Sequence, residues 1–168
     1  MSQLGISSFI SDNLVIATMA FLGGFVDSSG FLKLKGLFTS SITGNVVVAC
    51  AGVSTDSGIL ARSLCAVAFI LAAFVANSAI QLEKTYLKLS HNACLFTAYT
   101  LELSLLLATA IFGIIYNDEI DAAVMNDWEV VLPGCLAGAA MGFHCVAVKE
   151  SFVNCPPTTV VTSTMVNV

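Results

Sequence analysis

Residues 60–82 read LARSLCAVAFILAAFVANSAIQL, an apolar run of 23 residues with a single charge, Arg62. A hydrocarbon core of about 30 Å takes roughly 20 helical residues to cross, so a run of this kind predicts a transmembrane helix. Four other stretches match it. They are residues 14–32, carrying Asp27; 36–53, uncharged but with a polar stripe; 93–116, carrying Glu102; and 130–148, uncharged but holding His144. A sixth begins at 158 and reads TTVVTSTMVNV as far as 168, material for about half a crossing. The C-terminus therefore reads as cut short, with the half-span to be completed by further chain or by a partner helix.

Segments such as AVAFILAAFVA do not alternate in polarity, which disfavours the strands of a membrane barrel and favours helices. Composition agrees, since 57% of the 168 residues are hydrophobic and only 10% charged, too few to coat a water-soluble globule. Six Lys and Arg against 11 Asp and Glu leave no basic patch for nucleic acid. No basic residue precedes Lys33, so the first stretch lacks the n-region of a secretory signal and is expected to remain as a span. The connections are short, and the chain reads as one integral membrane domain over 1–168: an all-α polytopic bundle of five full spans plus the start of a sixth, with the bilayer as its solvent.

With five crossings, Lys33, Lys35, Lys84, Lys88 and Lys149 fall at odd-numbered connections and only Arg62 at an even one. The positive-inside rule then places the odd connections in the cytoplasm, and the N-terminus and the acidic 117–129 connection outside or in a lumen.

Enzymatic chemistry is not expected. The chain has no HExxH, no Gly-x-Ser-x-Gly and no phosphate-binding glycine loop, and Asp27 is the only aspartate deep in a span. Cysteines 50, 65, 94, 135, 145 and 155 form no Cys-x-x-Cys pair, and His91 and His144 are far apart, so free thiols and no metal or cofactor are expected.

In lipid, helices associate where small side chains let backbones approach. Gly134, Gly138 and Gly142 recur every four residues; so do Gly36, Ser40 and Gly44, and Ala20, Gly24 and Ser28. Each set lies on one helical face and predicts close packing, within the chain or in a homo-oligomer. Polar groups inside spans are costly in lipid and are expected to face the bundle interior. Asp27 is the sharpest of these; it is expected to serve as a proton carrier or cation ligand, or else to pair with Lys33 or Lys35 or make a helix-packing hydrogen bond. Thr39, Thr43 and Asn45, with Ser40 and Ser41, form a polar stripe that predicts either a solute pathway or interhelical hydrogen bonds, and Gly44 could permit a break in the helix. Glu102 sits near mid-span and is expected either to couple protons or, as a hydrogen-bonded neutral acid, to pin helices together; His144 could relay protons to either carboxylate or be satisfied by a neighbour's hydroxyl.

The segment GFVDSSGFLKLKGLFTSSITGN, residues 24–45, contains Gly-x-x-Asp-x-x-x-Phe and then Gly-x-Phe-Thr-x-x-x-Thr-Gly-Asn. This resembles the signature of the YoaK family, membrane proteins classed as domain of unknown function 1275. Met141-Gly142-Phe143 followed by Thr158-Thr159-Val160-Val161-Thr162 resembles the second family signature, with His144 and Cys145 in place of a Gln-Asn pair and Ser163-Thr164 in place of the glycine. The resemblance implies six spans and a polytopic helical protein, for which transport is often suspected. The element beginning at Thr39 aligns with that at Thr158, which suggests a repeat whose two copies, four spans apart, enter from the same side. The expected function is transport of a small polar solute or ion through Asp27, Thr39, Thr43, Asn45, Glu102 and His144; the alternative is a non-catalytic membrane scaffold or partner-binding subunit.

Overall fold

The structure, a computed structural model, describes residues 3–51, 58–88 and 90–151; the expected half-span at 158–168, with the second Thr element, lies outside them. The described chain is helical: α1 (Gln3–Lys33), α2 (Ile42–Ala51), α3 (Ile59–Leu82, continued by a π-helical turn, Glu83–Leu87), α4 (His91–Ile115), a short α5 (Asn117–Ala122) and α6 (Trp128–Ser151). Four of these, α1, α3, α4 and α6, are long and apolar enough to cross a membrane, as the apolar runs predict.

The hub is α6, in which 67% of an 18-residue apolar stretch is buried, against 11% of the corresponding stretches of α1 and α4. It lies along α3 and α4, where Phe69, Ala73 and Ala76 of α3 and Cys94 and Ala98 of α4 meet Met141, Cys145 and Val146 of α6 in one apolar core. The α6 glycines make this possible. A Cβ on Gly142 would stand 2.5 Å from the Phe69 carbonyl oxygen, and one on Gly138 would stand 3.1 Å from that of Cys65, so the α3 and α6 backbones touch. Gly134 leaves room for Leu37, whose Cδ2 would lie 2.3 Å from a Cβ there. Gly24 differs from its expected packing role, since a Cβ on it would meet nothing within 4 Å.

The expected second span is corrected. Residue 36 does not open a helix; α1 ends there in a Schellman-type turn. Lys35 (φ 54°) and Gly36 (φ 84°) are left-handed, and the Gly36 N–H returns to the Phe31 carbonyl at 2.9 Å. Residues 38–41 are non-helical, and α2 is ten residues long among the described residues. Ten helical residues rise about 15 Å, half a hydrocarbon core. The connections agree that this segment enters and returns. Arg62, in the first turn of α3, donates to the Gly36 carbonyl at 2.8 Å, and Ala61 N–H reaches Asn126 Oδ1 at 3.4 Å. Lys35 donates to the Asp121 carbonyl at 2.8 Å, and Lys33 to Asn117 at 3.3 Å. The end of α1, the start of α3 and the 117–129 connection therefore share one end of the bundle, here the acidic end.

This changes the charge count. Lys33, Lys35 and Arg62 lie at the acidic end, while Lys84, which pairs with Glu150, lies at the other with Lys88 and Lys149. The expected five-to-one bias becomes three to three, and the basic residues no longer select a side.

Candidate functional site

Three positions on one face of α1 organise the interior: Gly23, Asp27 and Gly30, spaced four and three residues apart. Asp27 holds the break before α2. Its Oδ1 accepts the backbone N–H groups of Thr39 and Ser40, both at 2.7 Å, and that of Ser41 at 3.3 Å; its Oδ2 accepts the Ser41 hydroxyl at 2.6 Å. Consecutive N–H groups ahead of a helix make a small anion-binding concavity at the positive end of the helix dipole, and Asp27 fills it with a carboxylate from the neighbouring helix. The expected pairing of Asp27 with Lys33 or Lys35 is not found, since both lysines turn to the 117–121 segment.

Asn45 completes the turn from the other side. Its Oδ1 accepts the Phe38 N–H at 3.0 Å and its Nδ2 donates to the Phe38 carbonyl at 2.6 Å, so one side chain satisfies both main-chain groups of a residue outside any helix. Arg62 also reaches Asn45 Oδ1, at 3.3 Å, and Cys65 Sγ donates to the Phe38 and Gly134 carbonyls at 3.4 and 3.3 Å. Arg62 and Cys65 were missed in the sequence: Arg62 reads as a loop-side charge and Cys65 as a small apolar filler. Thr39 is fully buried beside Asp27 and packs on Gly30, whereas Thr43 is exposed. The common face expected for Thr39 and Thr43 is absent because Thr39 is not helical.

Glu102 and His144 form a second site. His144 Nδ1 and Glu102 Oε1 are 2.9 Å apart, with side-chain exposures of 0% and 5%. The pair joins α4 to α6 deep in the bundle, and no hydrogen bond among the described residues links it to the Asp27 cluster. Glu102 Oε2 and His144 Nε2 are buried without a hydrogen-bond partner. Among the described residues there is no cluster of three or more His, Cys, Asp or Glu suited to a metal ion.

A cavity of about 490 Å³ runs beside α1, bounded by α4, α5 and α6. Lys33 and Asn117 line it at the acidic end, Ser29, Thr39 and Thr109 further in, and Leu22, Val26 and Leu106 at its deep end. Its walls are mostly apolar, with Thr39 bringing the Asp27 cluster to its surface.

Four membrane-length apolar helices around this interior describe an integral multi-pass membrane protein. No curated protein and no solved structure matches the chain. The family described as "Protein of unknown function (DUF1275)" matches residues 15–168, nearly the whole sequence and both glycine- and threonine-bearing signatures within it. The chain belongs to the DUF1275 family.

Proposed function

We propose that this protein carries a small polar solute or ion across the bilayer, with Asp27 and the 39–41 backbone as its coordinating site. One observation carries the reading: a helix broken inside the bundle, with its N-terminal amides and a carboxylate converging beside a cavity. Irregular backbone at membrane depth is tolerated where it is buried in protein or lines a cavity, and both conditions support the reading here.

The same geometry supplies a coupling device. A cation on Asp27, or a proton, competes with the amides of Thr39, Ser40 and Ser41 for the same oxygens. Occupation of the carboxylate loosens its hold on the start of α2, so binding and movement of the re-entrant segment are linked. Thr39, with its hydroxyl 3.4 Å from Asp27 Oδ1, can serve as a second ligand, while Asn45 and Arg62 hold the turn. The scaffold reading finds less support. The α6 glycine seam, its most natural docking face, is occupied by α3 and Leu37 of the same chain.

The test is uptake into proteoliposomes of a panel of labelled sodium, potassium and chloride ions and neutral amino acids, comparing the wild-type chain with Asp27→Asn. Uptake of one probe that is lost in the variant, with the helical circular dichroism spectrum unchanged, is the expected result. Identical uptake by the two proteins discards the role of Asp27.

A further inference from the structure

The Glu102–His144 pair plays no part in the coordinating site, yet it places two titratable side chains in the most buried layer of the bundle. A purely structural link would be expected to satisfy both partners. Here each keeps one buried polar atom, Oε2 and Nε2, without a partner. In the arrangement where Nδ1 of His144 carries the hydrogen between them, the Glu102 carboxylate is the acceptor. Nε2 of the neutral ring is then a bare acceptor, and a proton added there completes an imidazolium beside a carboxylate. Uptake of that single proton converts a buried net charge of −1 into a pair with none.

Nε2 faces α1. A Cβ on Gly23 would stand 3.8 Å from Nε2, an ordinary contact distance, so at Gly23 the α1 backbone packs directly over the buried nitrogen with no side chain between them. Leu22 and Val26, which bracket Gly23, line the deep end of the cavity, and so does Leu106, one turn beyond Glu102. The cavity therefore runs from Lys33 and Asn117 at the acidic end to within about one helical turn of the pair.

The other ionisable groups around the pair are committed elsewhere. On α1, Asp27 binds the 39–41 amides. On α3, Arg62 and Cys65 hold the re-entrant turn. On α4, Tyr99 meets the Ser151 hydroxyl at 3.1 Å, and Cys94 lies two turns towards the far end. On α6, Glu150 pairs with Lys84, Cys145 adjoins His144 within the apolar core, and exposed Lys149 lies more than a turn away.

We propose that Glu102 and His144 form a proton-binding site, with His144 Nε2 as the atom that takes up the proton and the α1 cavity as its path from the acidic end. This deepens the transport reading by naming the proton as coupling ion, and it rests on that reading only for the coupling.

The test reads the proton directly. The chain has two histidines, His91 and His144, so histidine-selective nitrogen-15 labelling of the purified protein in lipid nanodiscs gives two rings, and His91→Gln assigns them. Across the pH range in which the labelled protein stays folded, lowering the pH is expected to carry the His144 signal from a neutral Nδ1–H ring to an imidazolium. In Glu102→Gln this passage is expected to move to lower pH, because the stabilising carboxylate is gone. Gly23→Leu, which sets a side chain against Nε2, is expected to slow the exchange at least tenfold while Gly24→Leu, whose Cβ meets nothing within 4 Å, does not. A His144 ring whose protonation state is the same throughout this range, or whose transition is unchanged in Glu102→Gln, overturns the proposal. A titrating His144 in a protein that moves no solute supports the site and discards the transport reading; solute uptake with a silent His144 does the reverse.

Discussion

Ser41 gives Asp27 both of its donors: its backbone N–H lies 3.3 Å from Oδ1 and its hydroxyl 2.6 Å from Oδ2. A residue at the start of one helix is thus fastened by main chain and side chain to a carboxylate six residues from the end of another. Ser41 would ordinarily cap its own helix with its hydroxyl; here an acid from α1 takes that part, and the interruption before α2 becomes a tertiary feature.

Replacing Asp27 by Ala leaves the amides of residues 39–41 without their acceptor. The expected cost is on the order of 1–3 kcal/mol for each buried group left unsatisfied, read as a fall in the thermal midpoint of the protein in detergent. Asp27→Asn is expected to cost less, since the remaining carbonyl oxygen still accepts from Thr39 and Ser40.

Asn45→Leu removes both hydrogen bonds to Phe38 while keeping the number and branching of the side-chain heavy atoms. The main-chain N–H and carbonyl of Phe38 then lose the partners that hold them within the bundle. A loss of about 2–4 kcal/mol is expected from these two groups, against no more than a few tenths for Val47→Ala on the exposed face of the same helix. Urea titration of the detergent-solubilised protein compares them.

Gly142 and Gly24 should separate cleanly in an alanine exchange. A methyl group at 142 meets the Phe69 carbonyl at 2.5 Å and the Ala73 nitrogen at 3.0 Å, so α3 and α6 must move apart, at a cost of about 1–3 kcal/mol. The same change at 24 meets nothing within 4 Å and is expected to be neutral within about 0.5 kcal/mol. Differential scanning fluorimetry on the two variants checks the order.

The return of the second segment predicts sidedness. In a background with the six native cysteines changed to alanine or serine, Lys35→Cys and Asp121→Cys are expected to be joined by a short bismaleimide, since the lysine nitrogen lies 2.8 Å from the Asp121 carbonyl. An impermeant maleimide applied to sealed vesicles is expected to label Lys35→Cys and Asn126→Cys from one side and Lys88→Cys from the other. Labelling of positions 35 and 126 from opposite sides would restore a full second crossing.

Much of the fold was legible because hydropathy over about 20 residues reports the solvent a helix needs. The runs at 14–32, 60–82, 93–116 and 130–148 became α1, α3, α4 and α6 with boundaries moved by only a few residues at most ends. The run at 36–53 misled because apolarity records burial but says nothing of chain direction: residues buried inside a bundle look the same whether the chain crosses or returns. Its local signals pointed the other way, since Gly36 suits the left-handed turn and the Thr39-Ser40-Ser41 trio suits a helix start. Asp27 and Asn45 stood out because polar groups are rare in spans, but their partners are backbone amides, which every sequence possesses and none displays. Glu102 and His144 were each legible as buried titratable groups. That they meet depends on the facing of α4 and α6, which 42 residues of intervening chain do not encode locally.

The re-entrant turn also dictates an order of assembly. Residues 38–41 draw their hydrogen-bond partners from α1, α2 and α3, through Asp27, Asn45 and Cys65. Until those helices stand side by side, this stretch has no refuge for its main-chain dipoles in hydrocarbon. During biogenesis it must wait at the water boundary until α3 is threaded beside α1, and only then sink into place.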